Sequence, residues 1–427
     1  MLDIKFIREH TEQVRLAAQN KGVNFDVDRL LAVDARRREL MQKSETVRAE
    51  QKRTQDRELG TKLKNEFKEL ETQLQTAEVE FSALMVQVPN IPSEDTPIGK
   101  TAEENVEVYR HGKIPEFKFI PKDHVELARA LDIIDFERGA KVAGYRGYYL
   151  KGAGAQLAMA LMQFAFNKMI KRGYQPMLPP TLVKSFPLFG SGYFKGTEYD
   201  PEVDEIYQVA SADREASGEA SKEKKFLIGT AEPALLAYYS GETLKEEELP
   251  IRIAGFSQCY RSEIGSYGKD TKGLYRVHEF MKVEQVVIAP ADLAASDKLQ
   301  QEMVGITREL HEDLELPFRQ IQICTGDMGL GKYKMFDTEV WLPGTKRWAE
   351  TGSASNFTDW QARRLNVKYI DKNGEKKFAY LLNNTALPTP RPLIGILENF
   401  QTESGTVKIP KVLRDYMGGV REIKRKD

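Results

Sequence analysis

Cysteine is nearly absent from this sequence, and so are other features that define whole classes of protein. Cys259 and Cys324 are the only cysteines among 427 residues, too few for a disulfide framework or a cysteine-ligated metal site. No run approaches the ~18 uncharged apolar residues that a membrane-spanning helix needs. The N-terminus lacks the apolar stretch of a signal peptide. We therefore expect a soluble, cytoplasmic protein with no membrane association.

A dominant charge of one sign is missing too. The chain has 63 Lys and Arg against 64 Asp and Glu, which excludes a generally basic nucleic-acid coat but leaves room for a local basic patch. Hydrophobic residues make up 41% of the sequence, so the chain can bury a core and is not wholly disordered. Its length predicts about two to three domains.

A regular apolar spacing in the first hundred residues predicts two long helices. Between residues 62 and 88 the intervals alternate between four and three, which is typical of a heptad seam. The seam consists of Leu63, Phe67, Leu70, Leu74, Ala77, Phe81, Leu84 and Val88. A looser repeat upstream consists of Leu30, Val33, Leu40 and Val47. With Gly60 as the helix breaker between them, we predict an antiparallel helical hairpin that turns at Gly60.

The part of this hairpin nearest the turn is locally basic. Its basic residues include Arg48, Lys52, Arg53 and Arg57. A run of charge is most often a solvated surface, and the hairpin by itself is equally typical of a dimerisation arm. Contacts to nucleic-acid phosphates are the functional alternative.

A linker rich in proline and glycine follows, between residues 89 and 121. We place the domain boundary there, with residues 1–110 as one domain and 111–427 as the other. Downstream, a helical pattern covers residues 155–172 and strand patterns cover residues 251–263 and 276–288. Strands joined by a hairpin predict an α+β fold, an antiparallel sheet with flanking helices. No GxGxxG or P-loop pattern joins a strand to a helix, which argues against a Rossmann or Walker-type site.

Two further features belong to this region. The small and charged residues 211–225 predict an exposed loop. Strand alternation places Arg276, His278, Phe280, Lys282 and Glu284 on one face of the second strand, and Cys259, Arg261 and Glu263 on one face of the first. A solvent-exposed polar face is the plain interpretation of this pattern, and a shared substrate site is the alternative.

The same residues resemble a known family. Residues 260–263, a loop with Gly265-Ser266 and residues 269–274, and then residues 276–280 resemble motif 2 of class II aminoacyl-tRNA synthetases, in the form that the seryl-tRNA synthetases have. Further resemblances follow in the family's order: Gly173-Tyr174 with Pro180 to motif 1, Thr230-Ala231-Glu232 to the serine-binding triplet, residues 355–364 to the stretch after the metal-contacting Glu350, and residues 383–391 and 397–401 to motif 3. The resemblance is colinear over the whole chain.

The resemblance implies a function and its partners. It implies ATP-dependent activation of L-serine to seryl-adenylate and transfer to tRNA(Ser), with tRNA(Sec) left open as a second acceptor. It further implies Mg²⁺, a homodimer, a class II catalytic domain and an N-terminal coiled-coil arm that binds tRNA. Two rival functions are a non-catalytic paralogue that binds RNA or protein as a dimer, and a ligase that loads an amino acid onto a carrier protein.

The resemblance also implies roles for individual residues. Arg261 and Arg391 would be the catalytic cations, on the α- and γ-phosphates. The ATP site would consist of Arg261, Ser262, Glu263, Arg276, Val277, Phe280, Glu350, Thr351, Gly352, Ser353 and Arg391. The serine site would consist of Thr230, Ala231, Glu232, Arg261, Glu284 and Thr385. Glu350 and Ser353 would bind Mg²⁺, and Arg48, Lys52, Arg53 and Arg57 would contact tRNA.

Some positions depart from the family pattern or allow a structural interpretation. Gly352 stands where the family commonly has a serine. Prolines surround Arg391, and we expect Pro392 to begin a helix while Pro390 stays extended. Thr230 is also a plausible helix N-cap. Because all proposed ATP and serine ligands lie at or after Thr230, we expect activation to survive replacement of residues 27–88.

Overall fold

The computed structural model describes residues 1–210, 214, 217–219, 221–264 and 272–425. Its α-helices are α1 (Ile4–Glu9), α2 (Thr11–Asn20), α3 (Val27–Arg53), α4 (Arg57–Val86), α5 (His124–Leu131), α6 (Phe136–Ala143), α7 (Ala153–Lys171), α8 (Ser185–Ser191), α9 (Glu232–Ala237), α10 (Leu293–Asp313), α11 (Trp360–Leu365) and α12 (Pro390–Asn399). Short 3-10 turns are Ala102–Glu104, Glu246–Glu248, Lys411–Leu413 and Asp415–Met417.

The strands are β1 (Val106–His111), β2 (Ile134–Asp135), β3 (Tyr149–Leu150), β4 (Gln175–Met177), β5 (Leu182–Val183), β6 (Tyr207–Gln208), β7 (Phe226–Leu227), β8 (Thr243–Lys245), β9 (Ile251–Tyr260), β10 (Glu279–Ala289), β11 (Phe318–Gln322), β12 (Lys334–Leu342), β13 (Arg347–Asn356), β14 (Lys368–Ile370), β15 (Lys376–Phe378), β16 (Tyr380–Pro388), β17 (Val407–Lys408) and β18 (Glu422–Ile423).

The predicted N-terminal hairpin is confirmed, but its turn lies elsewhere. Helices α3 and α4 pack along the predicted seam, and Leu63, Ala77 and Leu84 are buried there. The chain reverses before α4, where the Asp56 side chain accepts hydrogen bonds from the Glu58 and Leu59 amides. The prediction of a turn at Gly60 was wrong, because this cap starts the helix early and a glycine in a first turn does not end it.

An eight-stranded sheet carries the rest of the fold. Its strand order is β1-β11-β12-β13-β16-β10-β9-β4, and every pairing is antiparallel except that of β4 with β9. Helices α7, α10 and α12 contact the sheet and share a core with its strands. The α+β prediction of an antiparallel sheet with flanking helices is therefore confirmed.

The central hairpin β9–β10 is shorter than the sequence predicted. Strand β9 ends at Tyr260 and β10 begins at Glu279, so Arg261, Glu263, Arg276 and His278 lie beyond the strands. The reason is local, since the backbone of Glu263 adopts a left-handed conformation with φ of 56°, which no regular strand accommodates. The strict two-face alternation thus fails for these residues.

Three other predictions concern the start of α12, the domain boundary and two loops. Helix α12 begins at Pro390 rather than Pro392, and Thr389 precedes it, because proline is accepted throughout the first helical turn. Strand β1, which pairs with β11, spans the boundary predicted after residue 110. The loop residues 265–271, and much of the loop 211–225, lie outside the described residues.

The base of the N-terminal hairpin is attached to the sheet domain by side-chain contacts. The Asn90 amide donates to the carbonyls of Gly331 and Phe357. The buried Lys21 ammonium donates to the carbonyls of Leu330 and Lys332 at 3.0 and 2.6 Å. Within the described ranges, no helix is both long enough and apolar enough to cross a membrane.

Candidate active site

A cleft of about 520 Å³ lies against strands β10, β13 and β16. Six residues that the sequence analysis assigned to substrates line it together: Glu232, Arg261, Glu284, Glu350, Ser353 and Thr385. They come from α9, the end of β9, β10, β13 and β16, segments that only the folded sheet brings together. A seventh, Arg391, borders this group, since its Nη1 donates to the Glu350 carbonyl over 2.8 Å.

One end of the cleft carries a buried carboxylate. Glu232 begins α9, and its Oε1 accepts a hydrogen bond from the Gln361 amide over 2.7 Å. Burial first, and the nearby Glu284 second, raise the pKa of Glu232 to about 7. A buried carboxylate that is costly to ionise gains most from a cationic partner. This end of the cleft is therefore suited to an ammonium group.

A second buried cluster lies beside it. The Lys282 ammonium is 2.6 Å from Glu284 Oε2 and donates to Thr385 Oγ1 over 3.2 Å. Glu284 and Thr385 face each other across the β10–β16 pairing, and the Thr385 hydroxyl donates to Glu284 Oε2 over 3.3 Å. A polar cluster that is closed on one side by the sheet is suited to a small hydroxyl-bearing side chain.

Arg261 separates these carboxylates from a flat aromatic surface. Its guanidinium carbon is 5.5 Å from the centre of the Phe280 ring, and its Nε donates to the Gly229 carbonyl. Phe280 also lines a neighbouring pocket of about 460 Å³ that His278 and Tyr260 share. A fixed cation next to a partly buried ring that lines a pocket fits a phosphate joined to a planar base.

The remaining motif 2 residues form the edge of this region. Glu263 Oε2 accepts from Arg276 over 2.7 Å and lies 3.8 Å from Arg146. The Ser262 hydroxyl is buried and has no partner among the described residues. Val277, in contrast, is buried in the main core. Its side chain is therefore not exposed to a ligand, and only its backbone could contact one.

The triplet Thr230-Ala231-Glu232 does not form a conventional helix cap. The N-cap of α9 is Ala231, and no side chain caps the helix. The Thr230 hydroxyl is 1% exposed and has no hydrogen-bond partner within the described chain. The N-cap interpretation of Thr230 is therefore wrong. The Thr230 hydroxyl is therefore available to donate to, or accept from, a bound ligand.

Glu350 and its neighbours on β13 differ in their surroundings. The Glu350 side chain is 47% exposed and lies 3.5 Å from Arg391 Nη1, and Ser353 lines the same cleft. Thr351 points the other way, into a bulge of the β12–β13 pairing, where its hydroxyl contacts His311 and the Thr338 carbonyl. A side-chain contact of Thr351 with ATP is therefore not compatible with this arrangement.

Gly352 has a packing reason for lacking a side chain. A β-carbon built there would lie 2.9 Å from the Thr385 carbonyl oxygen, closer than ordinary van der Waals contact allows. The serine that the family commonly has at this point would push β13 away from β16. Gly352 thus permits the close approach of two site strands, and it offers a ligand no hydroxyl.

The residues around Glu350 fit a magnesium ion that takes few ligands from the protein and the rest from water and phosphate. Within the described ranges, no group of three or more His, Cys, Asp or Glu side chains could hold a metal. Mg²⁺ needs no such cluster, because it usually takes one or two carboxylates and completes its shell with water and phosphate oxygens. The half-exposed Glu350 carboxylate and the Ser353 hydroxyl supply hard oxygen donors of this kind.

Sequence reasoning missed several residues of the cleft. Tyr193 and Lys332 line the cleft, and Gln361 contacts it through Glu232, but the sequence analysis gave none of the three a role. Lys282 was placed on the same strand face as Glu284, also without a role. Lys332 lies on the loop after β11, which carries no periodic pattern. Gln361 lies in a stretch that the resemblance covers, so the sequence could have drawn attention to it. Its contact with Glu232, however, depends on the packing of α11.

The proposed tRNA contacts lie at the tip of the N-terminal hairpin, where α3 ends and α4 begins. Arg48, Lys52, Arg53 and Arg57 are all exposed. In the part of the chain that the structure describes, none of the four forms an ion pair, although Arg48 lies over the Phe67 ring. Their charges are thus available to an external polyanion.

Comparisons with known proteins show which families and chains this sequence is similar to. A family model described as the tRNA synthetase class II core domain (G, H, P, S and T) matches residues 211–400, and one described as the seryl-tRNA synthetase N-terminal domain matches residues 1–57. The serine–tRNA ligase of Deinococcus radiodurans is 41% identical over 99% of both chains. That of Bdellovibrio bacteriovorus is 38% identical over the whole of both.

Solved structures are similar over the full length. The seryl-tRNA synthetase from Pyrococcus horikoshii complexed with ATP has a TM-score of 0.88 and 34% identity, and each chain is fully covered. The cytoplasmic serine–tRNA ligase of Naegleria fowleri in complex with AMP has a TM-score of 0.86 and 31% identity, with 100% of this chain and 99% of that chain covered.

Proposed function

The chain belongs to the seryl-tRNA synthetase family, and from this premise we propose that it activates L-serine with ATP and transfers the seryl group to tRNA(Ser). The observation that carries the proposal is the cleft itself. One cavity is lined by the buried carboxylate of Glu232, by the hydrogen-bonded pair Glu284 and Thr385, and by Arg261. Glu232 would bind an ammonium group, and the pair would bind a hydroxyl group.

The chemistry needs positioning rather than proton transfer. The serine carboxylate is already anionic and attacks the α-phosphorus of ATP, and the bond to pyrophosphate breaks as the bond to the carboxylate oxygen forms. Arg261 would bind the α-phosphate and the attacking carboxylate, stabilising the charge that accumulates there. Arg391 would bind the γ-phosphate, where a planar guanidinium offers two parallel donors.

The nucleotide base and the amino acid would lie on opposite sides of Arg261. Phe280 would stack on adenine, and Glu263, held by Arg276, would accept from its amino group. Glu232 would pair with the serine ammonium, and the unpartnered Thr230 hydroxyl would bind the serine carboxylate. When bound, Mg²⁺ at Glu350 and Ser353 would draw negative charge from the phosphates.

The arm and the assembly complete the proposal. The exposed basic residues at the hairpin tip would contact tRNA phosphates. Exposed apolar side chains around motif 1 support a homodimer interface, and they include Val142, Tyr145, Tyr149, Met159, Ile170 and Leu178. Since β1 pairs with β11, we propose that the domain boundary lies between residues 89 and 105 rather than after residue 110. Acceptance of tRNA(Sec) and the cytoplasmic location stay predictions.

Charging of tRNA(Ser) with labelled serine tests the whole reaction. We expect serine- and ATP-dependent acylation of tRNA(Ser), and no acylation of a pantetheine-bearing carrier protein. Acylation of the carrier alone would favour the carrier-protein ligase. Binding of tRNA without any acylation would favour the non-catalytic paralogue.

A further inference from the structure

We propose that Lys282 is the positioning residue that gives the hydroxyl pocket its polarity, and through it the preference for serine over alanine. The inference rests on the proposed function and adds to it a residue to which the family resemblance assigned no role. Lys282 and Glu284 are two residues apart on β10 and therefore share a face of the sheet.

The ion pair is enclosed by protein. Lys282 Nζ is 2.6 Å from Glu284 Oε2, and the two side chains are 6% and 1% exposed. A buried charge is tolerated only when it is paired. Lys282 is therefore the partner that fixes the position of the Glu284 carboxylate inside the pocket.

The same ammonium sets the direction of the hydrogen bonds. An ammonium donates and never accepts, so the Thr385 hydroxyl oxygen, 3.2 Å away, must accept from Lys282. Its own proton is then directed to Glu284 Oε2. Glu284 Oε1 remains as an acceptor, and among the described residues its one hydrogen-bond contact is a long one of 3.5 Å from the Asn383 amide. The pocket thus offers the substrate a fixed, anionic acceptor for a hydroxyl proton.

Charge balance in the cleft leads to the same residue. Glu232 and Glu284 line one cavity, and Glu284 is the second cause, after burial, of the raised pKa of Glu232. Serine needs both carboxylates, one for its ammonium and one for its hydroxyl. Lys282 supplies a positive charge beside the second of these carboxylates, and it opposes the effect of Glu284 on the pKa of Glu232.

Lys282→Met tests the inference, because methionine keeps the length of the side chain and removes the ammonium. Lys334→Met is the matched control. Lys334 is also buried, on β12, with its ammonium 2.6 Å from Asp95, but it lies outside the cleft. ATP–pyrophosphate exchange would be measured with serine and with alanine, together with the KM for ATP and the thermal unfolding midpoint.

We expect Lys282→Met to lower kcat/KM for serine by about 100-fold or more, mainly through KM, because a buried partner is left unpaired. Exchange with alanine should change far less, so the serine-to-alanine ratio should fall at least about tenfold. The KM for ATP should be unchanged. Lys334→Met should lower the unfolding temperature without changing the ratio.

A folded Lys282→Met protein with a ratio within about threefold of wild type, under ~1 kcal/mol, would overturn the inference. Should the methionine variant not fold, Lys282→Gln keeps an N–H donor for Thr385 without the charge, and an unchanged ratio in that variant would be equally contradictory. Absence of serine-dependent exchange in the wild-type protein would overturn the proposed function itself, which separates the two failures.

Discussion

The indole N–H of Trp360 donates a hydrogen bond to the carbonyl of Val88 over 3.2 Å, and the next residue, Gln361, donates to Glu232 over 2.7 Å. Helix α11 thus contacts the base of the N-terminal hairpin and the proposed ammonium site through adjacent residues. Residues 27–88 also share a core with the N-terminus, including Ile7 and Val14. Replacing all of residues 27–88 would disturb that core, so we no longer expect activation to survive it.

A shorter truncation separates the two roles of the hairpin. Replacing residues 43–71 with a short glycine-serine turn removes the basic tip and leaves the base intact. We expect exchange activity and dimer mass to be retained and tRNA charging to be lost, because no residue of the cleft is removed. Sedimentation, exchange and charging on this one protein provide the measurement. A monomeric, inactive product would favour the dimerisation-arm interpretation.

Neutralising the tip without truncation gives a finer test. Changing Arg48, Lys52, Arg53 and Arg57 to glutamine should weaken tRNA binding and reduce the slope of log K against log salt by about one per lost phosphate contact. The KM values for serine and ATP should not change. An unchanged salt slope would contradict the assignment of the tip to tRNA.

Serine binding should depend on pH through Glu232. Its pKa is raised to about 7 by burial and by Glu284, while Gln361, Lys282 and Lys332 act in the opposite direction. Because only the ionised carboxylate pairs with an ammonium, KM for serine should rise as pH falls below about 7, approaching tenfold per pH unit. KM for ATP serves as the control. A flat serine KM between pH 5.5 and 7.5 would contradict this role.

Gly352→Ala should disturb the proposed serine pocket by displacing β16, the strand that carries Thr385. The new β-carbon would lie 2.9 Å from the Thr385 carbonyl oxygen, so β16 must shift. We expect a loss of about 1–3 kcal/mol of stability and a higher KM for serine. Gly305→Ala on α10 is the control, because nothing lies within 4 Å of its β-carbon. Equal unfolding temperatures for the two variants would show that the contact is relieved without cost.

His311 should make the fold sensitive to mild acid. Burial lowers the pKa of His311 to about 4, while its Nδ1 donates to the Thr307 carbonyl. The unfolded chain takes up the proton near pH 6.5, so stability is full above that pH and falls as pH drops toward 4, by up to about 3 kcal/mol. Urea unfolding at pH 7 and pH 5 should show a smaller loss in His311→Gln. Identical losses would contradict this origin.

The sequence predicted the elements with the strongest periodicity most closely. The heptad seam of α4 and the apolar pattern of α7 arise from local spacing, which a helix expresses directly. The turn at Gly60 was wrong because a side-chain cap at Asp56 decides where α4 begins, and a composition of turn residues does not reveal a cap. The start of α12 was misplaced by two residues for a similar reason, since Pro390 and Pro392 both suit a first helical turn.

The site was harder to predict than the elements that carry it. Roles for Glu232 and Glu284 came from the family resemblance. The pattern alone allowed a solvent-exposed strand face for Glu284 and an acid in a first helical turn for Glu232. The roles of Lys282 and Gln361 depend on distances across β10, β16 and α11, which no local pattern contains. Gly352 is a further example, because the absence of a side chain there is explained by the Thr385 carbonyl, which lies close to it on a strand distant in sequence.

Arg261 provides the sharpest test of the chemistry of activation. Arg261→Ala should slow adenylate formation by about 10²-fold or more, as for the loss of one preorganised donor at a developing charge. The KM for tRNA should be unchanged, because the hairpin tip is not affected. A decrease within threefold, under ~1 kcal/mol, would show that Arg261 does not contact the reacting phosphate.

The most direct test of the central claim is ATP–pyrophosphate exchange by the wild-type protein with each of the twenty amino acids in turn. A site built around a substrate hydroxyl should reject alanine by about 10⁴-fold or more, and threonine less strictly, since only an added methyl distinguishes it. We therefore predict rapid exchange with serine and very slow exchange with alanine. Exchange with no amino acid, or comparable exchange with serine and alanine, would contradict the account.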